Sequence, residues 1–250
     1  MAINVDTVYK TVLFLLNKEQ RGYMTPQEFN RVASQVQLEI FDQYFEDLNQ
    51  QLRVPQADVD YADRIAAIDE KISVFKRFKN PTYVANYFDL SVITDLYKIG
   101  TVVYNTAIGG PIELERLPRS TFYNIQRSQL TASTTSFPTY LYENTRLYVS
   151  PATINVGFTA NTAGDITVDY VKKPSNPQWN FTLGNLGQYI YTSSTALSPA
   201  IPSVDFELMS SEQTTVILRI LIYAGLIIED PMVIQVASQQ VKQQEINSKS

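Results

Sequence analysis

Histidine and cysteine are both absent from this 250-residue chain. Their absence removes the commonest general base, the thiol nucleophile and the usual zinc and haem ligands. Disulfides are excluded as well, so stability rests on packing or assembly. Catalysis would have to run on carboxylates, Lys, Tyr or Ser. The expectation is a protein that is not an enzyme, with no cofactor and no bound metal.

Long apolar runs are missing too. The most apolar stretch, Val216–Ile228, is interrupted by Arg219 and is shorter than the roughly 20 residues a membrane span needs. It reads as a buried helix, and no membrane partner is expected. The opening M-A-I-N-V-D-T-V-Y-K has no basic region before an apolar run, so no signal peptide is expected and synthesis is cytoplasmic. A basic excess is also lacking. Net charge is −5 with 18% charged residues, unlike a nucleic-acid glove, though compatible with a surface that DNA slides past. There is no G-x-S-x-G, P-loop or dinucleotide fingerprint. The acceptor-like Asn180-Phe181-Thr182 has no secretory context.

What the chain does contain is ordered. Val5, Val8, Tyr9, Val12, Leu13 and Leu16 recur at helical spacing and predict a first helix with one apolar stripe, ending near Gly22. Thr25, Pro26 and Glu28 form a capping box and first-turn proline for a second helix. Its apolar face runs through Phe29, Val32, Ala33, Val36, Ile40, Tyr44, Leu48 and Leu52 to a stop at Pro55. A third helix is predicted from Asp60 or Tyr61 to about Phe78. From Pro81 the period changes to that of strands, in Y-V-A-N-Y-F-D-L and D-L-Y-K-I-G-T-V-V-Y-N, followed by a short helix after Pro118. The segment from Pro138 to Trp179 predicts three strands rich in Tyr and β-branched residues. Asn176–Ser203 reads as a long irregular loop. Ser210 or Ser211 is expected to cap a helix to about Glu229, with a last helix after Pro231 and a polar tail.

The expected class is therefore α+β. Helical N- and C-terminal parts form a helix bundle, with an antiparallel β module inserted between them. The boundaries expected are 1–80, 81–208 and 209–250, with the last part packing on the first.

Four patterns carry competing readings. Asn17–Glu28 has EF-hand spacing, but Arg21 sits where an oxygen ligand is needed, and the capping box accounts for Glu28 without metal. Glu113 and Glu115 would share a strand face, as paired carboxylates do in glycoside hydrolases; a solvated face is the preferred reading. Lys71–Lys79, K-I-S-V-F-K-R-F-K, interleaves cations and aromatics as nucleic-acid contacts do. The preferred reading there is a helix C-terminus whose cations complement the macrodipole. Sixteen tyrosines and one tryptophan suit extensive protein contacts.

Two stretches carry a resemblance. N-K-E-Q-R-G-Y-M-T-P-Q-E-F-N (Asn17–Asn30), with F-D-Q-Y-F in the helix after it, resembles the opening of virion structural proteins of crAss-like bacteriophages. P-T-Y-L-Y-E-N-T-R-L-Y-V-S-P and V-D-Y-V-K-K-P-S-N-P-Q-W resemble the β part of the same group. The overall layout is similar to the head-to-tail adaptor (tail tubular A-like) ring proteins of short-tailed phages. The resemblance implies a virion location at the head–tail junction or tail. It implies a cyclic homo-oligomer of about twelve copies stacked on the portal, an adjacent tail or ring protein, and DNA in the lumen without sequence-specific binding. The C-terminal helix, Met232–Ser250, would dock on the portal. Tyr140, Tyr142, Tyr148, Tyr170 and Trp179 are the expected aromatic interface anchors, with Met232 and Val236 on the last helix. Alternatives are another tail or hub structural protein, a carboxylate-dependent tail glycan hydrolase, or a monomeric binding module.

Overall fold

The computed structural model describes residues 2–18, 23–53, 59–84, 86–106, 110–154, 166–195, 201–228 and 231–249. In chain order they form β1 (Ala2–Ile3), α1 (Val5–Lys18), α2 (Pro26–Arg53), α3 (Val59–Ser73), β2 (Lys76–Lys79), β3 (Thr82–Val84), β4 (Tyr87–Asp89) and β5 (Leu96–Thr106). Then come β6 (Gly110–Glu113), β7 (Glu115–Arg116), α4 (Arg119–Ile125), β8 (Thr139–Glu143), β9 (Arg146–Ser150) and β10 (Ile166–Lys172). The remaining elements are β11 (Phe181–Leu183), β12 (Tyr189–Tyr191), β13 (Phe206–Met209), α5 (Gln213–Ile228) and α6 (Pro231–Lys249). The expected α+β class, helical at both ends with antiparallel sheets between, is what the structure shows.

The chain divides into two units, Met1–Val74 with Pro174–Ser250, and Phe75–Lys173. Residues 174–208, expected in the β module, group with the helices. The cause is a pairing across the whole chain: β13 pairs with β1 through Ala2↔Met209 and Ile3↔Phe206. Buried Gln37 on α2 fastens the same segment, donating to Ser175 O at 2.6 Å and accepting from Glu207 N at 3.0 Å. Both ends of this amide are satisfied, as burial of a polar group requires.

In the helical unit, α1 buries Val5, Val8, Tyr9, Val12 and Leu16 as its stripe predicts. The Thr25 capping box forms: Thr25 N donates to Glu28 Oε2 at 2.8 Å, and Glu28 N donates to Thr25 Oγ1 at 3.3 Å. The α2 face is buried from Phe29 to Tyr44, but Leu52 is 58% exposed. The apolar α5 packs on α1, α2 and α6, burying Val216, Ile220, Leu221 and Ala224. An all-round apolar helix belongs in such a central place. The expected serine cap of α5 does not form. A short 3-10 turn, Ser210–Glu212, precedes the helix without a side-chain cap, and Glu212 pairs with Lys71 at 2.7 Å.

The second unit is built from two sheets on one core. One has the order β2-β10-β5-β6, and the other β3-β4-β9-β8-β7. All pairings are antiparallel except β7 with β8. Ile166, Val168 and Tyr170 point inward from alternate positions of β10, opposite Phe88, Leu147 and Val149 of the other sheet in the same core cluster. The chain changes sheet at buried Leu114. Leu114 N donates to Val102 O at 2.8 Å, and Glu115 N donates to Pro138 O at 3.1 Å. Glu113 and Glu115 therefore lie in different sheets and do not share a strand face. Asn144 and Thr145, at φ 46° and 60°, make the two-residue turn between β8 and β9, as the twist of such hairpins requires.

The third helix stops at Ser73, short of the expected Phe78. Phe75 is buried, and Lys76–Lys79 is drawn into the ladder with β10. Pairing overrides local preference here.

Candidate interaction surface

No charged residue occurs between Lys173 and Asp205. This segment is not the irregular loop expected; it carries the hairpin β11–β12, with Phe181↔Tyr191, Thr182↔Ile190 and Leu183↔Tyr189 in register. The loop between is closed by Gly184 N to Gln188 O and Gly187 N to Gly184 O, both 2.9 Å. Gly187 has φ 76°, a conformation in which a side chain would be strained. Leu186 at the tip is 93% exposed, Leu183 69%, Ile190 48% and Tyr189 44%.

A two-stranded hairpin has little stability alone. This one is held at its root by Trp179, which is buried. The indole lies 4.5 Å from the Tyr9 ring and stacks on Tyr191 at 5.8 Å. Its Nε1 donates to Asp6 Oδ1 at 3.0 Å. Asn30 brackets the same residue: Trp179 N donates to Asn30 Oδ1 at 2.7 Å, and Asn30 Nδ2 donates to Trp179 O at 3.2 Å. One step further, Ser203 Oγ accepts from Asn180 N at 2.9 Å and donates to Thr192 O. Tyr9 donates to Met24 O at 3.1 Å, and burial pushes its phenol well above the usual tyrosine range. The root is thus aromatic, dry and hydrogen-bonded, while the tip is apolar and wet. Depletion of charge with aromatic and aliphatic exposure is the composition of a protein-interface core.

The structure disperses the residues expected as anchors. Trp179, Tyr140 and Tyr170 are buried inside their own units, so they have no free area to offer a neighbour and act as packing. Tyr170 also donates to Asp95 Oδ1 at 3.3 Å. Tyr142 and Tyr148 are half-buried on opposite faces of the β8–β9 pair. Tyr142 packs on the core near Arg116, and Tyr148 lies 5.8 Å from the Tyr87 ring. Val236 is 55% exposed on α6, and the Met232 side chain lies outside the described residues. Leu183, Leu186, Tyr189 and Ile190, exposed on the hairpin, are not among the expected anchors. The signal that marks them in the sequence is the long charge-free interval around them.

A recess of about 340 Å³ opens among the helices, lined by Tyr44, Asp47, Lys71, Glu212 and Arg219 among others. One of its carboxylates, Glu212, is already engaged by Lys71. In the EF-hand-like stretch, residues 19–22 lie outside the described residues. Glu28 there is turned to Thr25, whose N–H and hydroxyl hold its carboxyl below the usual range. Among the described residues no group of three or more acidic side chains is placed to hold a metal ion, and no helix is long and apolar enough to cross a membrane. Comparison with known proteins gives no matching family model and no matching curated sequence.

Proposed function

We propose that this chain is a virion structural protein of a tailed bacteriophage, an adaptor that assembles into a ring between portal and tail around the DNA. The observation that carries the reading is the charge-free hairpin with an exposed apolar tip on a rigid root. Its placement fits a part made to insert into another protein. Side-to-side contacts of this kind, one surface of a copy meeting a different surface of the next, close into rings. The phage resemblance supplies the setting: about twelve copies, the portal on one side, a tail or ring protein on the other, and DNA in the lumen. The α6 helix, with Val236 exposed, is the part assigned to the portal. On this reading the protein catalyses nothing. Another tail or hub position is the nearest rival, and the location of the protein in the particle separates the two.

The test is native mass spectrometry of the protein, alone and with the candidate portal. The wild-type chain is expected to give a closed ring, or a monomer that becomes a stoichiometric ring on the portal. A Leu183→Asp, Leu186→Asp variant is expected to lose this assembly by thirtyfold or more, since a hot spot is worth about 2 kcal/mol. Its urea midpoint should not move, because both side chains are exposed. A wild-type monomer that ignores the portal, or a double variant that assembles normally, would sink the proposal.

A further inference from the structure

The run Lys76-Arg77-Phe78-Lys79 does not end a helix, as preferred from the sequence. It is β2, the edge strand of the four-stranded sheet, and all four of its side chains are exposed. Phe78 is 77% exposed and stands between the cations of Arg77 and Lys79. A further cation joins the patch across β10. Val171 is opposite Lys76 on one side and Lys98 on the other, so these three occupy one row of one sheet face. Phe78 projects from the same face as Lys76, and Arg77 and Lys79 alternate to the other side of the strand. The carboxylate in register with this patch is Asp169, opposite Phe78.

An edge strand invites two kinds of partner, an added strand or a polyanion. Geometry decides between them. Lys172 N donates to Phe75 O at 2.9 Å, so alternation turns the backbone of Lys76 and Phe78 toward the free edge. There Arg77 Nη1 folds back and donates to Lys76 O at 3.0 Å. A guanidinium on the outer carbonyl blocks a pairing strand, and cationic side chains on so short an edge oppose one as well.

We propose that β2 is a contact for single-stranded nucleic acid running along the sheet edge, in which Lys76 and Lys98 meet phosphates from the face where the Phe78 ring stacks on a base, and Arg77 and Lys79 meet them from the other side of the strand. Cations supply the sequence-independent attraction, and an exposed ring among them is a stacking platform. The contact is local and stands against an overall net charge of −5. It does not depend on ring assembly, so its failure and that of the adaptor reading are separate events.

The test is fluorescence anisotropy of a labelled oligothymidylate with the full chain, over a salt series, with a DNA duplex and heparin as comparison ligands. The single strand is expected to bind more tightly than the duplex. Phe78→Ala should weaken single-strand binding about tenfold and leave heparin unchanged. A Lys76→Gln, Lys79→Gln variant should reduce the slope of log affinity against log salt by about 1.4. All three side chains are exposed, so circular dichroism should be that of the wild type. Absence of single-strand binding at low salt overturns the proposal. So does unchanged binding in either variant, or heparin binding that is as sensitive to Phe78→Ala as the oligonucleotide is.

Discussion

Replacing Trp179 by Ala should destabilise the helical unit by about 4 kcal/mol. Truncating a buried tryptophan to alanine costs about 3–5 kcal/mol through lost transfer energy and the cavity left behind. Trp179 is 4% exposed and contacts the rings of Tyr9, Phe181 and Tyr191, so the cavity has aromatic walls that cannot collapse cheaply. The lost indole bond to Asp6 is the smaller part of this cost. Asp6 keeps Lys10 at 2.6 Å, and no carboxylate is left buried without a partner. Trp179→Phe should therefore cost only about 1–2 kcal/mol, chiefly one hydrogen bond to a charged group. Against a typical total of about 5–15 kcal/mol, the alanine variant sits close to unfolding. In urea, at a slope of about 2 kcal/mol/M, its midpoint should fall by about 2 M, read by helical ellipticity. The wild-type transition is also readable by fluorescence, because Trp179 is the sole tryptophan. Cleavage in the 184–188 loop should speed up in the alanine variant as the hairpin root loosens. A cost below about 1 kcal/mol, or a phenylalanine variant as damaged as the alanine one, would refute this account of the root.

Two further changes probe local geometry. Thr25→Ala removes half of the capping box and should cost about 1 kcal/mol. Because Thr25 holds the Glu28 carboxyl below its usual range, the wild-type contribution is full above the ordinary glutamate range and is lost as pH falls through the depressed folded value. Alanine keeps the backbone N–H, the larger cause of the shift, and loses the hydroxyl, so the variant should show a slightly flatter acid limb in thermal melts across pH, and a steeper limb would count against the linkage. Thr145→Gly should stabilise the β unit by about 0.5–1 kcal/mol, since a β-branched residue at φ 60° is strained by about 1–2 kcal/mol and glycine returns part of that as chain entropy. A lower urea midpoint would show that the turn is not strained.

The periodic helices were readable because a stripe of Val5, Val8, Tyr9 and Val12, or a Thr-Pro-x-Glu start, depends only on neighbours in the chain. The tyrosine-rich strands β8, β9 and β10 were readable for the same reason. What escaped depends on distant pairing. Nothing near Lys76 announces that β10, some ninety positions later, will take it as an edge strand. Nothing near Phe206 announces that the first residues of the chain will pair with it. Trp179 and Tyr140, expected as surface anchors, are buried; the Trp179 ring packs well inside because Asp6 satisfies its polar tip. The exposed apolar residues of the hairpin are two leucines, an isoleucine and Tyr189, distinguished by the missing charges around them rather than by their own type.

The hydrogen bond from Lys172 N to Phe75 O places entry and exit of the β unit side by side. Such a unit behaves as a cassette. Residues 75–173 could be lifted out, and a short flexible linker would rejoin 74 to 174 without stretching the helical host. Recombination could likewise exchange one sheet pair for another while the helices and their hairpin stay as they are. Surfaces carried on the cassette would then diversify independently of the charge-free hairpin, a division of labour written into a single doorway in the chain.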